Sequence, residues 1–466
     1  MSHKKELSAT KQEEIMNALW QSGGAGREAL REELATIIKT VRFSGNFVNL
    51  WGYGGNIYLA LQAEGFSDET PILYRMRSSG ELESLLTYGE AKSLTGNPNL
   101  TEIVATLEAP DGTVFCTTHP EPVHILRKKP DEAWESVYSN AAMRTSYGMA
   151  TNQHGDIFAT LRGPAEIGGP HRAIIRSLDG GDNWSVVWSD NNDWLYSIEA
   201  KHTYVVAGGR NIIVRSADRG VSWSTFAATG DVRAVKNIDL ERWIAFVSAA
   251  TGYFYISLNR GASWSRPANP IPIPVVGAPN PVAVRPNGEI FVMDDLGIRF
   301  ARTRNLSKWS VGGNIYLGAY SRGIYVTESH IYIGSRVLST SPYYSKPDNG
   351  MVLIIPIECL DWTENYPPIL LWSNESVTDT VNGEATSPVL TENVDKKTFY
   401  LISNQSGTLY IQAYDEVAAT YRDIDSVSVS ANMLTVYNVL DTQARLMRLR
   451  FIPSAAATVS AWVVMK

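Results

Sequence analysis

One recurrence constrains this chain more than any other feature. A short apolar strand, often introduced by a Gly/Asn/Asp turn, appears seven times, at 55–60, 111–116, 154–159, 204–207, 244–247, 287–292 and 331–334. Between Ile57 and Ile331 the average spacing is about 46 residues, the length of one four-stranded blade of a β-propeller. Continuous apolar runs suit strands covered on both faces by neighbouring sheets. With 466 residues, 44% of them apolar, the chain has room for such a core and for further domains on either side.

A second marker follows the strands. Residues 177–184 read Ser-Leu-Asp-Gly-Gly-Asp-Asn-Trp, 216–223 Ser-Ala-Asp-Arg-Gly-Val-Ser-Trp, and 257–264 Ser-Leu-Asn-Arg-Gly-Ala-Ser-Trp. The shared pattern is Ser177, Asp179, Gly181, Trp184; Ser216, Asp218, Gly220, Trp223; and Ser257, Asn259, Gly261, Trp264. Weaker relics end at Trp134, Trp309 and Trp362. Each repeat reads as a tight turn between two strands. The carboxylate accepts from backbone N–H groups, the glycine supplies a positive φ, and the tryptophan folds back between sheets. These acids are therefore expected to be structural.

The repeats resemble the Asp-box (BNR) repeats of the sialidase-like superfamily, which includes sialidases, related glycoside hydrolases and several non-enzymatic propellers. The resemblance is good over about 150–270 and tapers over the rest of the propeller. It implies boxes at the blade periphery, away from a central site, and so a fold with its activity left open. A sialidase-type site needs three arginines on the substrate carboxylate, a Tyr nucleophile activated by a Glu, and an Asp acid/base. The family's Tyr/Phe-Arg-Ile-Pro segment has its nearest counterpart in Leu73-Tyr74-Arg75-Met76-Arg77, which lacks the Ile-Pro. Arg144, Arg162, Arg172, Arg233, Arg285 and Arg322 are spread over the blades, and no spacing selects a triad. GxSxG, HExxH and phosphate-binding loops are missing from the sequence, and His154, His171 and His202 share no ligand spacing. No catalytic residue, metal or cofactor is assigned.

Aromatics beside Asn and Asp suit saccharide stacking and hydroxyl bonding. The run from Trp188 through Trp194 to Tyr196 is one candidate glycan-binding segment, and Tyr343 with Tyr344, in a Ser/Pro/Gly-rich loop, is another. Ordinary blade packing is the alternative for each.

Outside the propeller, expected over 42–375, three regions remain. Residues 1–41 form an N-terminal arm that reads as helix from 9, with Leu30, Leu34, Ile37, Ile38 and Val41 on one face. That stripe either packs on its own propeller or docks to a partner or to copies of itself. Residues 376–397, rich in Thr, Ser, Asn and Glu, read as a linker. Residues 398–466 alternate with strand period and read as a C-terminal β-sandwich. Its pieces at 403–409 and 453–458 resemble β-modules at the ends of bacteriophage structural proteins. Cys116 and Cys359 fall in non-neighbouring blades and are expected to be free, buried thiols.

The N-terminus has no apolar run fit for a secretory signal, and no stretch reaches the length of a membrane span. A net charge of -7, with both signs interspersed, argues against nucleic-acid binding. The fold class expected is mainly β: a seven-bladed propeller, with six blades as the fallback, between a helical arm and a β-sandwich. The function expected is that of a non-enzymatic structural protein on the surface of a bacteriophage-like virion, as tail, fibre or capsid decoration. Its expected partners are other virion proteins through the arm, host-surface glycans, and copies of itself in a homo-oligomer. The alternatives are a sialidase-type glycoside hydrolase and a propeller scaffold for protein assembly.

Overall fold

The structure is a computed structural model. It describes residues 39–465 apart from 44–45, 63–66, 164–170, 193, 249–251, 268–270, 272, 274–280, 294–298, 304–305, 307–308, 314–318, 338–349, 358–362, 366–368, 392–395 and 441–443. Tyr343, Tyr344, Cys359, Trp362 and the arm up to residue 38 lie outside the described residues.

The described chain is mainly β, arranged as up-and-down antiparallel sheets of the propeller kind. Sheet A holds Asn46–Tyr53, Asn56–Gln62, Pro71–Arg77, Leu82–Thr87, Glu102–Glu108, Val114–His119, Val123–Lys128 and Glu135–Asn140. Its two halves are joined by the backbone pair Gln62–Glu102 and by side-chain bonds from Asn56 and Tyr58 to Glu108. Sheet B runs Met149–Thr151, Ile157–Arg162, Arg172–Ser177, Ser185–Asp190. Sheet C runs Leu195–Lys201, Tyr204–Ser216, Ser224–Asn237, Trp243–Ser248, Tyr253–Ser257. Sheet D joins Val282–Val284, Ile290–Met293, Arg299–Thr303, Trp309–Gly313 and Thr363–Asn365. Sheet E places Lys39–Phe43 against Gly350–Pro356, followed by His330–Val337 and Ala319–Val326.

Six of the seven recurrent strands are hydrogen-bonded along both edges, Ile157–Arg162, for example, between Met149–Thr151 and Arg172–Ser177; in the other, 204–207 pairs with 198–201 and its continuation 210–215 with Ser224–Asn237. That is why their apolar runs are continuous: Phe158, Ala159 and Leu161 face cores on both sides. The cores link each sheet to the next. One unites Leu107 and Ile125 of sheet A with Ile157 and Ile175 of sheet B. Others join B to C, C to D and D to E. A last one brings Tyr332, Val352 and Ile354 of sheet E onto Leu50, Ile57 and Leu59 of sheet A. There the strands approach so closely that a Cβ on Gly52 would collide with the Tyr325 ring.

Two expectations change at the boundaries. Val41, assigned by periodicity to a helical stripe, sits on the strand Lys39–Phe43, where it pairs with Val352 and is buried. Partner strands in sheet E decide the conformation of this β-branched, strand-compatible stretch. The segment read as a linker, 376–397, carries the end of Ile369–Val377 and two short strands, Glu384–Ala385 and Val389–Leu390, paired with other strands. Val377 and Val389 are buried, so the polar composition reflects an exposed outer surface over an apolar anchor.

The C-terminal residues form two further sheets. Sheet F orders Ile369–Val377, Ala457–Met465, Lys396–Ser403 and Leu434–Leu440; sheet G places Leu446–Pro453 and Gly407–Asp415 between Glu384–Ala385 and Thr420–Val429. Their inner faces share one core, with Phe399, Val459 and Val463 from F against Ile411, Leu449 and Phe451 from G. The segments 403–409 and 453–458 meet here: Gly407 pairs with Pro453, and the Ser454 N–H donates to the Ser406 carbonyl at 2.8 Å. Among the described residues no helix is long and apolar enough to cross a membrane.

Candidate functional site

The three box turns are built alike. Ser177 Oγ donates to Asp179 and accepts from the Gly181 N–H at 2.8 Å, while the Asn183 N–H donates to Asp179 at 2.9 Å. Ser216, Gly220, Ser222 and Asp218 repeat these contacts, as do Ser257, Gly261, Ser263 and Asn259. Gly181 and Gly220 have φ of +93° and +81°, and a Cβ there would press on Phe115 at 2.6 Å and Phe158 at 2.9 Å, so glycine is demanded twice over. Trp184 and Trp223 are half-buried over the A/B and B/C cores, and Trp264 is buried within sheet C. The serine and the Asp or Asn of each motif are bonded within the turn, while Asp182, Arg219 and Arg260 bond to Arg127, Asp156 and Glu241 outside it.

The chemically richer place lies where the first strands of consecutive sheets begin. Here Tyr147, just ahead of Met149–Thr151, meets Trp194 and Tyr196 at the start of Leu195–Lys201. Tyr147 and Trp194 stack at 6.3 Å and 28°, and Trp194 meets Tyr196 edge-on at 5.8 Å. Arg162, at the end of its strand, lies 3.2 Å above the Trp194 ring and donates from Nη1 to the Tyr147 hydroxyl at 2.9 Å. Arg233 lies 4.0 Å over the Tyr196 ring and donates to Asp231 at 2.8 Å. The Tyr196 hydroxyl donates to the same Asp231 oxygen at 3.1 Å. Burial pushes the Tyr196 phenol up to about 12; Arg233 opposes the shift and Asp231 adds to it. At neutral pH Tyr196 is thus a fixed hydrogen-bond donor. The guanidiniums are held by ring faces, each contact contributing about 0.5–2 kcal/mol.

One sheet earlier the equivalent strand ends carry Glu102 and His119. His119 Nδ1 lies 3.1 Å from Glu102 and 3.3 Å from Thr101 Oγ1. Arg144, whose N–H donates to the Arg162 carbonyl at 2.7 Å, reaches Glu121 at 3.5 Å. An acid–imidazole pair, two stacked arginines and three aromatic rings therefore occupy corresponding positions on sheets A, B and C.

The six arginines singled out in the sequence divide accordingly. Arg162 and Arg233 join the aromatic cluster, and Arg144 stands beside it. Arg172 is buried beside Trp188, with its guanidinium 5.6 Å from that ring and bonded to Asp190 at 2.8 Å. Arg285 binds Glu289 and Glu328 on another turn. The Arg322 side chain lies outside the described residues. Of the aromatic run, Trp194 and Tyr196 enter the cluster while Trp188 stays on the outer strand Ser185–Asp190. Sequence reading missed Tyr147, Asp231, Glu102 and His119. Tyr147 and Asp231 precede their repeat strands by about ten residues, as Tyr196 does, so aligning the repeats is the signal that finds them. Cys116 is a buried free thiol whose pKa burial raises.

No protein-family model matches the chain, and no curated protein does. Among solved structures it is similar to a catalytically inactive virginiamycin B lyase from Staphylococcus aureus, at 12% identity and a TM-score of 0.45, covering 68% of this chain and 99% of that one. It is also similar to a puromycin-hydrolyzing peptidase of Mycobacterium tuberculosis, at 12% identity and a TM-score of 0.45, covering 72% of this chain and 59% of that one. A Trypanosoma rangeli sialidase overlaps at 10% identity and a TM-score of 0.36, covering 84% of this chain and 93% of that one. These three stay below a TM-score of 0.5, so the chemistry rests on this chain's own residues.

Proposed function

We propose that sheets A to E close as a seven-bladed propeller whose mouth, at Tyr147, Trp194, Tyr196, Arg162 and Arg233, binds saccharides without turning them over. In this reading sheet A is two blades joined at Gln62–Glu102. Sheet C is two blades sharing Ser224–Asn237, which pairs first with Tyr204–Ser216 and then with Trp243–Ser248. Sheets B, D and E supply one blade each, and the core shared by E and A supports closure. Sheets F and G form the C-terminal β-sandwich around their common core. We assign the protein to the surface of a bacteriophage-like particle, as tail, fibre or capsid decoration. Support for this comes from the phage-like segments at 403–409 and 453–458, which are neighbours in space. The N-terminal arm is the proposed contact to other virion proteins, and host-surface glycans are the proposed ligands. With many copies on one particle, weak single sites suffice.

The observation that carries the binding reading is the Tyr196–Asp231–Arg233 contact. A tyrosine nucleophile needs a base free to take its proton, whereas Asp231 also accepts from Arg233 and the Tyr196 phenol is held near 12. Arg162 and Arg233 lie over separate rings instead of converging on one point. The residue types present, a tyrosine and an acid with two arginines nearby, keep the sialidase-type hydrolase as second reading. Glycan-array binding and cleavage of a fluorogenic sialoside, measured in parallel on the wild type and Trp194→Ala, separate the two. Retention that Trp194→Ala abolishes, with no fluorophore released, supports the binding protein; release of fluorophore establishes the hydrolase. Absence of both, with a protein partner held on the propeller, supports the scaffold.

A further inference from the structure

A cleft of about 310 Å³ is lined by residues of sheets B and C, among them Asn192, two positions before Trp194. Its volume is at the lower end of the ~300–1,000 Å³ typical of small-ligand sites. Its lining includes the polar Arg172, Asp190, Asn192, Asn211 and Thr225 and the apolar Ile212 and Ala227. We propose that this cleft is a second binding site, separate from the mouth, for one neutral hexose-sized saccharide unit.

The lining is built and charge-balanced. Arg172 is only 3% exposed and is fixed by two bonds, to Asp190 at 2.8 Å and to the Arg210 carbonyl at 3.2 Å. Its Nε is buried without a partner. Burial alone would raise the Asp190 carboxyl, but Arg172 and Asn192 outweigh it and hold it at about 2, so it is ionised throughout the physiological range. Asn192 donates to Asp190 at 2.7 Å, and Asn211 fixes its own amide by accepting from the Gly230 N–H at 2.8 Å. The cleft therefore offers carboxylate and amide acceptors beside amide and hydroxyl donors, with apolar surface for C–H groups. Alternating donors and acceptors match vicinal hydroxyls. An anion would face the Asp190 carboxylate with the Arg172 charge already engaged. Arg210 also borders the cleft, but its charge acts on the Tyr196 phenol toward the mouth.

The test uses the full chain with methyl glycosides of glucose, galactose and N-acetylglucosamine, and sodium glucuronate as the charged control, followed by ligand-observed NMR titration. Ala227→Phe fills the cleft and Thr225→Val removes a hydroxyl. Both positions are exposed, and equal melting temperatures verify that the fold is kept. The expected result is a neutral glycoside bound in about the millimolar range. Ala227→Phe should weaken it about tenfold or more and Thr225→Val about threefold, with Trp194→Ala leaving it within about twofold. Loss in Trp194→Ala with Ala227→Phe unaffected would overturn the proposal in favour of the mouth alone. Tighter glucuronate than glucoside would overturn the neutral assignment. No saturable binding up to about 50 mM would overturn both.

Discussion

Arg176 donates from Nη1 to the carbonyl oxygen of Arg219 at 2.6 Å, so the strand leading into the first box clasps the turn of the second. The contact recurs: Arg127 holds the Gly180 carbonyl at 2.6 Å, and Arg215 holds that of Arg260 at 2.7 Å. Arg219 itself reaches back to the buried Asp156 with a bidentate pair at 2.7 and 2.6 Å. Box turns are thus the points where neighbouring strand layers are fastened together.

Arg176→Met keeps the apolar stem and removes this clasp. A charged donor on a carbonyl contributes about 1.5–3 kcal/mol, and that loss is expected in urea unfolding monitored by tryptophan fluorescence. An unchanged midpoint would show that the clasp is incidental.

Within a box, the serine is expected to matter more than the acid. Ser216 is buried and takes the buried Gly220 N–H, whereas Asp218 and its donors Val221 and Ser222 are exposed. Ser216→Ala strands a buried donor and should cost about 1–3 kcal/mol; Asp218→Ala exchanges its bonds for water and should cost about 1 kcal/mol or less. Thermal unfolding of the two variants gives the order, and saccharide binding should survive in both.

Acid should weaken the boxes. The Asn183 backbone and side chain, then Ser177, hold Asp179 at about 2, and Ser222, then Ser216 and Val221, hold Asp218 there too, against an ordinary 3.8. A depressed carboxyl contributes stability that is fully present above its unfolded value and lost as pH falls through the folded one. The window is therefore about pH 4 to 2. Asp179→Asn with Asp218→Asn, copying the side chain that Asn259 supplies in the third box, should flatten stability across that window in pH-dependent urea titrations.

The Tyr196 phenol should ionise late. In ring-labelled protein its NMR signal is expected to remain that of the neutral form to about pH 11, because burial first, and Asp231 after it, raises its pKa to about 12. Asp231→Asn removes the carboxylate contribution and should move the titration to lower pH. A Tyr196 that titrates near 10 in the wild type would undermine the argument against a nucleophile.

The third box has a further neighbour. Asn259 and Ser263 line a crevice of about 40 Å³ with Tyr414 and Glu416 of the C-terminal unit. Asn259→Asp adds a like charge beside Glu416 and should weaken this docking by up to about 1 kcal/mol. Calorimetry should then resolve a separate, earlier transition of the C-terminal unit, an effect that Asn259→Ser should not produce.

What is periodic was legible along the chain. Strand spacing, turn glycines such as Gly181 and Gly220, and the Ser/Asp/Trp repeats are local requirements, satisfied within one turn or one strand, and so they are written in consecutive residues. The site is not local in that sense. Tyr147 and Arg162 belong to sheet B and Trp194, Asp231 and Arg233 to sheet C; the packing of the two sheets sets Arg162 on Trp194, and the strand order inside sheet C sets Tyr196 on Asp231. Tertiary pairing likewise decided the borders. Val41 fits a helix or a strand by pattern, and the open edge of Gly350–Pro356 selected the strand; Val377 and Val389 look like polar-linker residues until the core of sheets F and G takes them in. Short-range geometry is legible in order along the chain, whereas a site assembled from distant strand ends exists only once the backbone hydrogen bonds and shared cores have fixed which ends are neighbours.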